Sequence, residues 1–278
     1  MLGTTEIVVL FLLVAGLLAW SIVKASAGAE EIDGWAKRHG VTLTDATRPM
    51  VAAYLVRSRK YRLKGALIGL VVPFGIGVPG VEMATGYLLG TLLAEFTHHR
   101  VTAGESRAAS LTPRTLYDYI PSYVPRLLEG IAAVGGVLLL PLYLWGPKVQ
   151  GLTTHEVGVI VGGIGSAVLP LVIKKLLERM VARPQPAVSE ALVAADDAMR
   201  ASSMHAVSGA GLSGSLLLLG TFTFTVGVTS ALGIVQWVFP AAGAALWVSA
   251  LAVWLKLGIR PKWKVRRRPR AAKVRGSS

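Results

Sequence analysis

RSRKYRLKGALIGLVVPFGIGVPGVEMATGYLLGTLLAEF, residues 57–96, sets five basic side chains against the edge of a long apolar run. The run itself, Gly65 to Phe96, has 32 residues. A bilayer core takes about 20 helical residues, so this stretch is long for one crossing and short for two. Pro73, Gly75, Gly77, Pro79 and Gly80 fall in its middle, where they break a helix. Two arms of about 20–24 Å remain on either side of the break. The segment is therefore expected to turn back on itself, as two short tilted spans or as a re-entrant loop packed against other helices.

The charges of the whole chain lead to the same hairpin. Lys and Arg stay preferentially on the cytoplasmic side of a membrane. Lys24 to Lys64 holds nine of them, Lys174, Lys175, Arg179 and Arg183 form a second cluster, and Arg260 to Arg275 form a basic tail. Other apolar runs lie at Ile7–Val23, Gly130–Trp145, Val157–Ile173, Gly211–Ile234 and Val238–Leu255. The last four make two pairs, and the final pair is expected to turn at Gln236-Trp237. One crossing at 65–96 would put the second cluster and the tail outside. An even number keeps every cluster inside.

The expected fold is thus all-α, a polytopic transmembrane bundle of about seven membrane segments including the broken or re-entrant hairpin. Residues 1–23 are the anchor, 24–64 a basic cytoplasmic segment, 65–258 the bundle, and 259–278 a basic cytoplasmic tail. Cytoplasmic loops are expected at 97–126 and 174–208. Ala25-Ser26-Ala27 resembles a signal-peptide cleavage site, but Met1 to Glu6 has no basic residue, so an uncleaved anchor with an outer N-terminus is preferred.

Composition agrees with a membrane class. Hydrophobic residues are 53% of 278, and mean hydropathy is +0.57, too apolar for an ordinary soluble domain. The net charge of +14 lies outside the apolar runs and suits an anionic lipid surface. With no Cys there is no disulfide, thiolate metal site or Cys nucleophile. The absence of Asn, with abundant Ala, Gly, Val and Arg, suggests a GC-rich bacterial source and a plasma (inner) membrane.

Small residues recur at helix-packing spacing in Gly65 and Gly69, Gly86 and Gly90, and Gly158 and Gly162. They offer faces for this chain's own helices, for a protein partner or for a second copy. Leu111–Arg126 combines three prolines with Tyr117, Tyr119 and Tyr123, which suits the headgroup level. Ser189 reads as the N-cap of a separate helix ending near His205, with Asp196-Asp197 on its exposed face.

The stretches RAASLTPRTLYDYIP, RPQP and ADDAMRASSMHAVSGAG resemble segments of uncharacterised multi-spanning membrane proteins of actinobacteria, between Glu95 and about Gly211. That resemblance implies a membrane location and a bacterial source. It implies no chemistry.

Candidate functional residues are few. Glu82 is the one ionisable residue well inside an apolar run, where burial costs roughly 2.5–3.5 kcal/mol, so it is a candidate for ion or proton coupling beside a broken helix. Glu95 and His99 share a helix face at i and i+4 and form a second candidate, for proton relay or for binding a metal, although two ligands do not make a metal site. Arg266, Arg267, Arg268 and Arg270 are candidate contacts for anionic headgroups, at about 1 kcal/mol each near the surface. Nucleic acid is not expected, since only Trp263 is interleaved among the tail's charges. Gly211-Leu212-Ser213-Gly214 echoes the serine context of intramembrane proteases, but no His follows His205 to act as base. No catalytic set, metal site or cofactor motif is expected. Two functions follow: a non-enzymatic membrane component that assembles with partners, or a small transporter or channel subunit using Glu82.

Overall fold

A computed structural model describes residues 4–71, 79–97, 114–145, 154–182, 190–230 and 233–259. Among them there are eight α-helices and no strands: α1 Thr4–Val23, α2 Ala29–His39, α3 Arg48–Val71, α4 Pro79–Thr97, α5 Tyr123–Trp145, α6 Thr154–Val181, α7 Glu190–Thr229 and α8 Gly233–Val253. A 3-10 turn at Leu116–Asp118 precedes α5, and a π-helical turn at Trp254–Ile259 ends α8. Three stretches are long and apolar enough to cross a membrane: Gly158–Val181, Ala191–Thr229 and Gly233–Gly258. Leu12–Val23 is a shorter apolar helix.

The α3–α4 pair is an antiparallel hairpin built on four glycines. A Cβ on Gly65 would lie 2.8 Å from Gly90 Cα and would overlap the Gly86 carbonyl oxygen. Gly69 meets the Glu82 carbonyl in the same way, and Gly90 meets that of Tyr61. With no side chains between them, the two backbones touch directly. The first two glycine pairs are therefore spent inside the chain, and Gly162 packs on Leu218 and Phe222 of α7. α4 begins at Pro79, where a missing N–H costs nothing because a first-turn donor has no helical acceptor.

α7 is the post around which the rest is arranged. Its 40 residues span about 60 Å, twice a hydrocarbon core. It packs on α4, α5, α6 and α8, and nearly every residue from Ala198 to Gly227 is buried. The separate helix expected to end near His205 is instead its first half. Ser208-Gly209-Ala210-Gly211 reads as a break by composition, yet these small residues are where neighbours come closest. Gly209 abuts Gly258 and Gly211 abuts Ile173. Close packing overrides helix propensity here. The last connection also differs from expectation. α7 ends at Thr229 and α8 starts at Gly233, while Gln236 and Trp237 lie inside α8, with Trp237 78% exposed.

Most hydroxyls inside α7 are satisfied locally or by a neighbour, although Ser208 Oγ is buried without a partner among the described residues. Ser215, Thr221 and Thr223 donate to carbonyls one turn back, and Ser213 Oγ donates to the Ala250 carbonyl of α8 over 2.8 Å. Large aliphatic side chains face outward on α1, α6 and α8, among them Leu17, Leu171 and Val248.

At one end of the bundle the start of α5, the end of α6, the first half of α7 and the π turn share one core, with Ile120, Leu128, Leu177, Met204 and Leu257 at its centre. Basic residues tie this end together. Arg57 donates to the Thr97 carbonyl, Lys174 pairs with Glu129, and Arg114 pairs with Asp197. Arg200 reaches the Met180 and Val181 carbonyls at the end of α6, where a cation suits the helix dipole, and also pairs with Asp196. Two expectations change here. Asp196 and Asp197 are half-buried rather than on a solvated face, Asp196 paired with Arg200 of its own helix and Asp197 linking α7 to Tyr119 and Arg114. Tyr119 is 3% exposed and donates to Asp197, whereas Tyr117 and Tyr123 are exposed. Burial, and then the Asp197 charge, push the Tyr119 hydroxyl up to about 12.

A valine at Gly65 must separate α3 from α4. Gly65→Val should lower the thermal midpoint in detergent by an amount equal to about 1–3 kcal/mol of overpacking, or prevent folding. Gly136→Ala has no atom within 4 Å of its new Cβ and should leave the midpoint unchanged or slightly raised.

Candidate functional site

Tyr54, Ser58 and Arg62 lie four residues apart on one face of α3. Tyr54 is 4% exposed and Ser58 6%. Opposite them stands Glu95 near the end of α4, 1% exposed, and beside them Ser202 and Ser203 of α7. Tyr54 Oη donates to Glu95 Oε1 at 3.2 Å and lies 3.3 Å from Ser202 Oγ, while Ser203 Oγ donates to it at 3.4 Å. One phenol proton serves one acceptor at a time, so the serine protons complete the set. Burial first, and the Glu95 charge second, push the Tyr54 hydroxyl far above its ordinary value. The cluster joins three helices through the Tyr54 phenol, which meets the buried Glu95 carboxylate on one side and the α7 serines on the other.

α2 covers this cluster. Its Ile32, Trp35 and Ala36 pack on Val51 and Tyr54 of α3 and on Ala198 and Met199 of α7. Arg59 grips both Glu31 oxygens at 2.6 Å and the Ser26 carbonyl, and Arg48 pairs with Asp33 at 2.7 Å. These pairs are largely solvated and hold register more than they stabilise. His39 stacks on Trp35 at 4.4 Å and donates from Nδ1 to the Trp35 carbonyl. Burial draws its pKa down, assisted by Arg38 and opposed by that hydrogen bond.

The expected coupling residues do not form one site. Glu82 and Glu95 are 13 positions apart on α4, which is about 20 Å along the axis and about 140° around it. Glu82 is 6% exposed, in the first turn of α4, where its charge suits the helix N-terminus. His99 and Arg266, Arg267, Arg268 and Arg270 lie outside the described residues. Among the described residues no three His, Asp or Glu side chains gather as a metal site. His205 is 3% exposed, neither ring nitrogen is hydrogen-bonded, and it sits two turns before Ser213 on the same helix, about 12 Å along the axis.

Sequence reasoning singled out Glu95 as a coupling candidate and did not single out Tyr54 or the two serines that surround it. The available signal was the four-residue spacing of Tyr54, Ser58 and Arg62, which leaves a polar stripe on a helix that leads into an apolar run. No family model, no curated protein and no solved structure matches this chain.

Two outcomes test this geometry. Removing the phenol in Tyr54→Phe should cost about 1 kcal/mol, and a double-mutant cycle with Glu95→Gln should show coupling above about 0.5 kcal/mol. Additive losses would contradict the contact. Because the folded His39 pKa lies below its unfolded value, its neutral form stabilises the docked α2 above about pH 6.5, and that contribution is lost as pH falls toward the folded value. His39→Phe should therefore flatten the acid limb of the melting curve plotted against pH.

Proposed function

We propose that the chain is a multi-pass protein of a bacterial plasma membrane, N-terminus outside and C-terminus inside, with about seven membrane segments. It acts as a non-enzymatic membrane component that assembles with a protein partner. The observation that carries this reading is how the buried polar groups are used. Tyr54, Glu95 and Ser203, Ser213 with the Ala250 carbonyl, Tyr119 with Asp197, and Arg200 with the end of α6 each fasten one helix to another. The glycine pairs of α3 and α4 face each other, so a partner would meet another surface, such as the basic end where Tyr117 and Tyr123 are exposed.

The transporter reading stands second, favoured by two carboxylates, Glu82 and Glu95, buried in one helix. Proton or cation flux into proteoliposomes that falls at least tenfold in Glu82→Gln or Glu95→Gln, with folding intact, would put it first. The protease reading is third, because Ser213 is engaged with Ala250 and the one nearby His is two turns away on the same helix.

Orientation is tested with single cysteines. Ser110→Cys, Ser189→Cys and Ser277→Cys should resist an impermeant thiol reagent in intact cells, and Thr153→Cys should react. Labelling at position 110 without labelling at 153 contradicts the hairpin crossing. Crosslinking in native membranes should recover a stoichiometric protein partner, and recovery of the chain alone contradicts assembly.

A further inference from the structure

We propose that Arg62 and Trp254 form a binding site for the phosphate of an anionic phospholipid headgroup, where the α3–α4 hairpin meets the end of α8. The proposal rests on the membrane reading above. It is a different site from the basic tail.

The Arg62 side chain is half-buried, and among the described residues it has neither a hydrogen bond nor an ion pair. Its Nε is fully covered and still without an acceptor. A buried donor in that state costs on the order of 1–3 kcal/mol, more for a charged group, and an anion beside the guanidinium would offset part of that cost. Arg57, whose Nε is also covered and without an acceptor, reaches the Thr97 carbonyl through a terminal nitrogen, Arg59 holds Glu31, and Arg200 caps α6, whereas Arg62 has no such partner.

The surroundings select the kind of anion. The guanidinium lies 5.8 Å from the centre of the Trp254 ring, which is 7% exposed and held edge-to-face by Tyr87 at 5.7 Å. A cation–π contact with a fixed ring holds the guanidinium in place, and its terminal nitrogens can serve a two-oxygen acceptor such as a phosphate. Trp254 belongs to a buried cluster with Leu88 of α4 and Ala250 of α8, so the guanidinium lies where the α3–α4 pair meets the end of α8. Arg62 stands three residues before Gly65, where the apolar run begins, and Lys64 and Lys256 are exposed nearby in sequence, on α3 and on the π-helical turn. That is the level at which a phospholipid presents its phosphate, with its acyl chains running along the exposed Ile68 and Val71 of α3 and Leu255 of α8. A free phosphate would satisfy the guanidinium but would leave those aliphatic side chains uncovered.

The test uses the full chain, delipidated in a neutral detergent and titrated with phosphatidylglycerol, with phosphatidylcholine and with inorganic phosphate, read by thermal midpoint and by native mass spectrometry. Phosphatidylglycerol should raise the midpoint and remain bound at one site. Affinity should fall about tenfold or more in Arg62→Gln and less in Arg62→Lys, which keeps the charge without the fork. Trp254→Phe should weaken it partly, and replacing Arg266, Arg267, Arg268 and Arg270 together by Gln should leave that site intact. The Lys variant keeps the test open if the Gln variant does not fold. Equal binding of phosphatidylcholine, a matching shift from inorganic phosphate alone, or loss only in the tail variant would overturn the proposal. Failure of the protein to stay with vesicles after an alkaline wash would instead overturn the membrane reading.

Discussion

Two backbones can lie in direct contact only where neither carries a Cβ, and Gly65, Gly69, Gly86 and Gly90 meet that condition on facing turns of α3 and α4. Most of the architecture follows from this contact. It folds the chain back within the 57–96 stretch, brings Glu95 and Thr97 level with Tyr54 and Arg57, and returns the chain to the end from which α3 started. α5 to α8 then pack in sequence around α7, and their basic ends gather at the same place. Backbones this close gain dispersion contacts along the whole seam.

α7 supplies the second constraint. A helix buried around its whole circumference cannot leave its polar groups to water, and most of its serines and threonines turn back to their own carbonyls or cross to a neighbour, Ser208 being an exception. Where α7 leaves the apolar layer the fasteners become charged: Arg200 on the end of α6 and Asp197 between Tyr119 and Arg114. The change from hydroxyl to ionic fasteners along one helix follows the cost of burying charge, which falls steeply toward the headgroups.

Much of this was legible in the sequence wherever it rested on spacing or on counting. The Pro and Gly residues at 73–80 and the distribution of basic clusters pointed to a turn between α3 and α4, and the glycine pairs to close contact. The continuity of α7 was not legible, because Ser208-Gly209-Ala210-Gly211 has the composition of a loop and only its neighbours, Gly258 and Ile173, explain its helical state. The burial of Tyr119 was hidden in a proline-rich segment whose other two tyrosines are exposed. Tyr54 and Glu95 are 41 residues apart, and no local pattern joins them. The separation of Glu82 from Glu95 around α4, by contrast, could have been counted at 100° per residue.

The central claim is that α3 and α4 lie side by side, and spin labels on Lys64 and Leu89 measure it most directly, since both side chains face outward. Side-by-side helices with axes about 8–10 Å apart give strong dipolar broadening between the two labels. A helix running straight through 65–96 would hold the same two positions about 38 Å apart, and an unbroadened spectrum with a distance near that value would contradict the account.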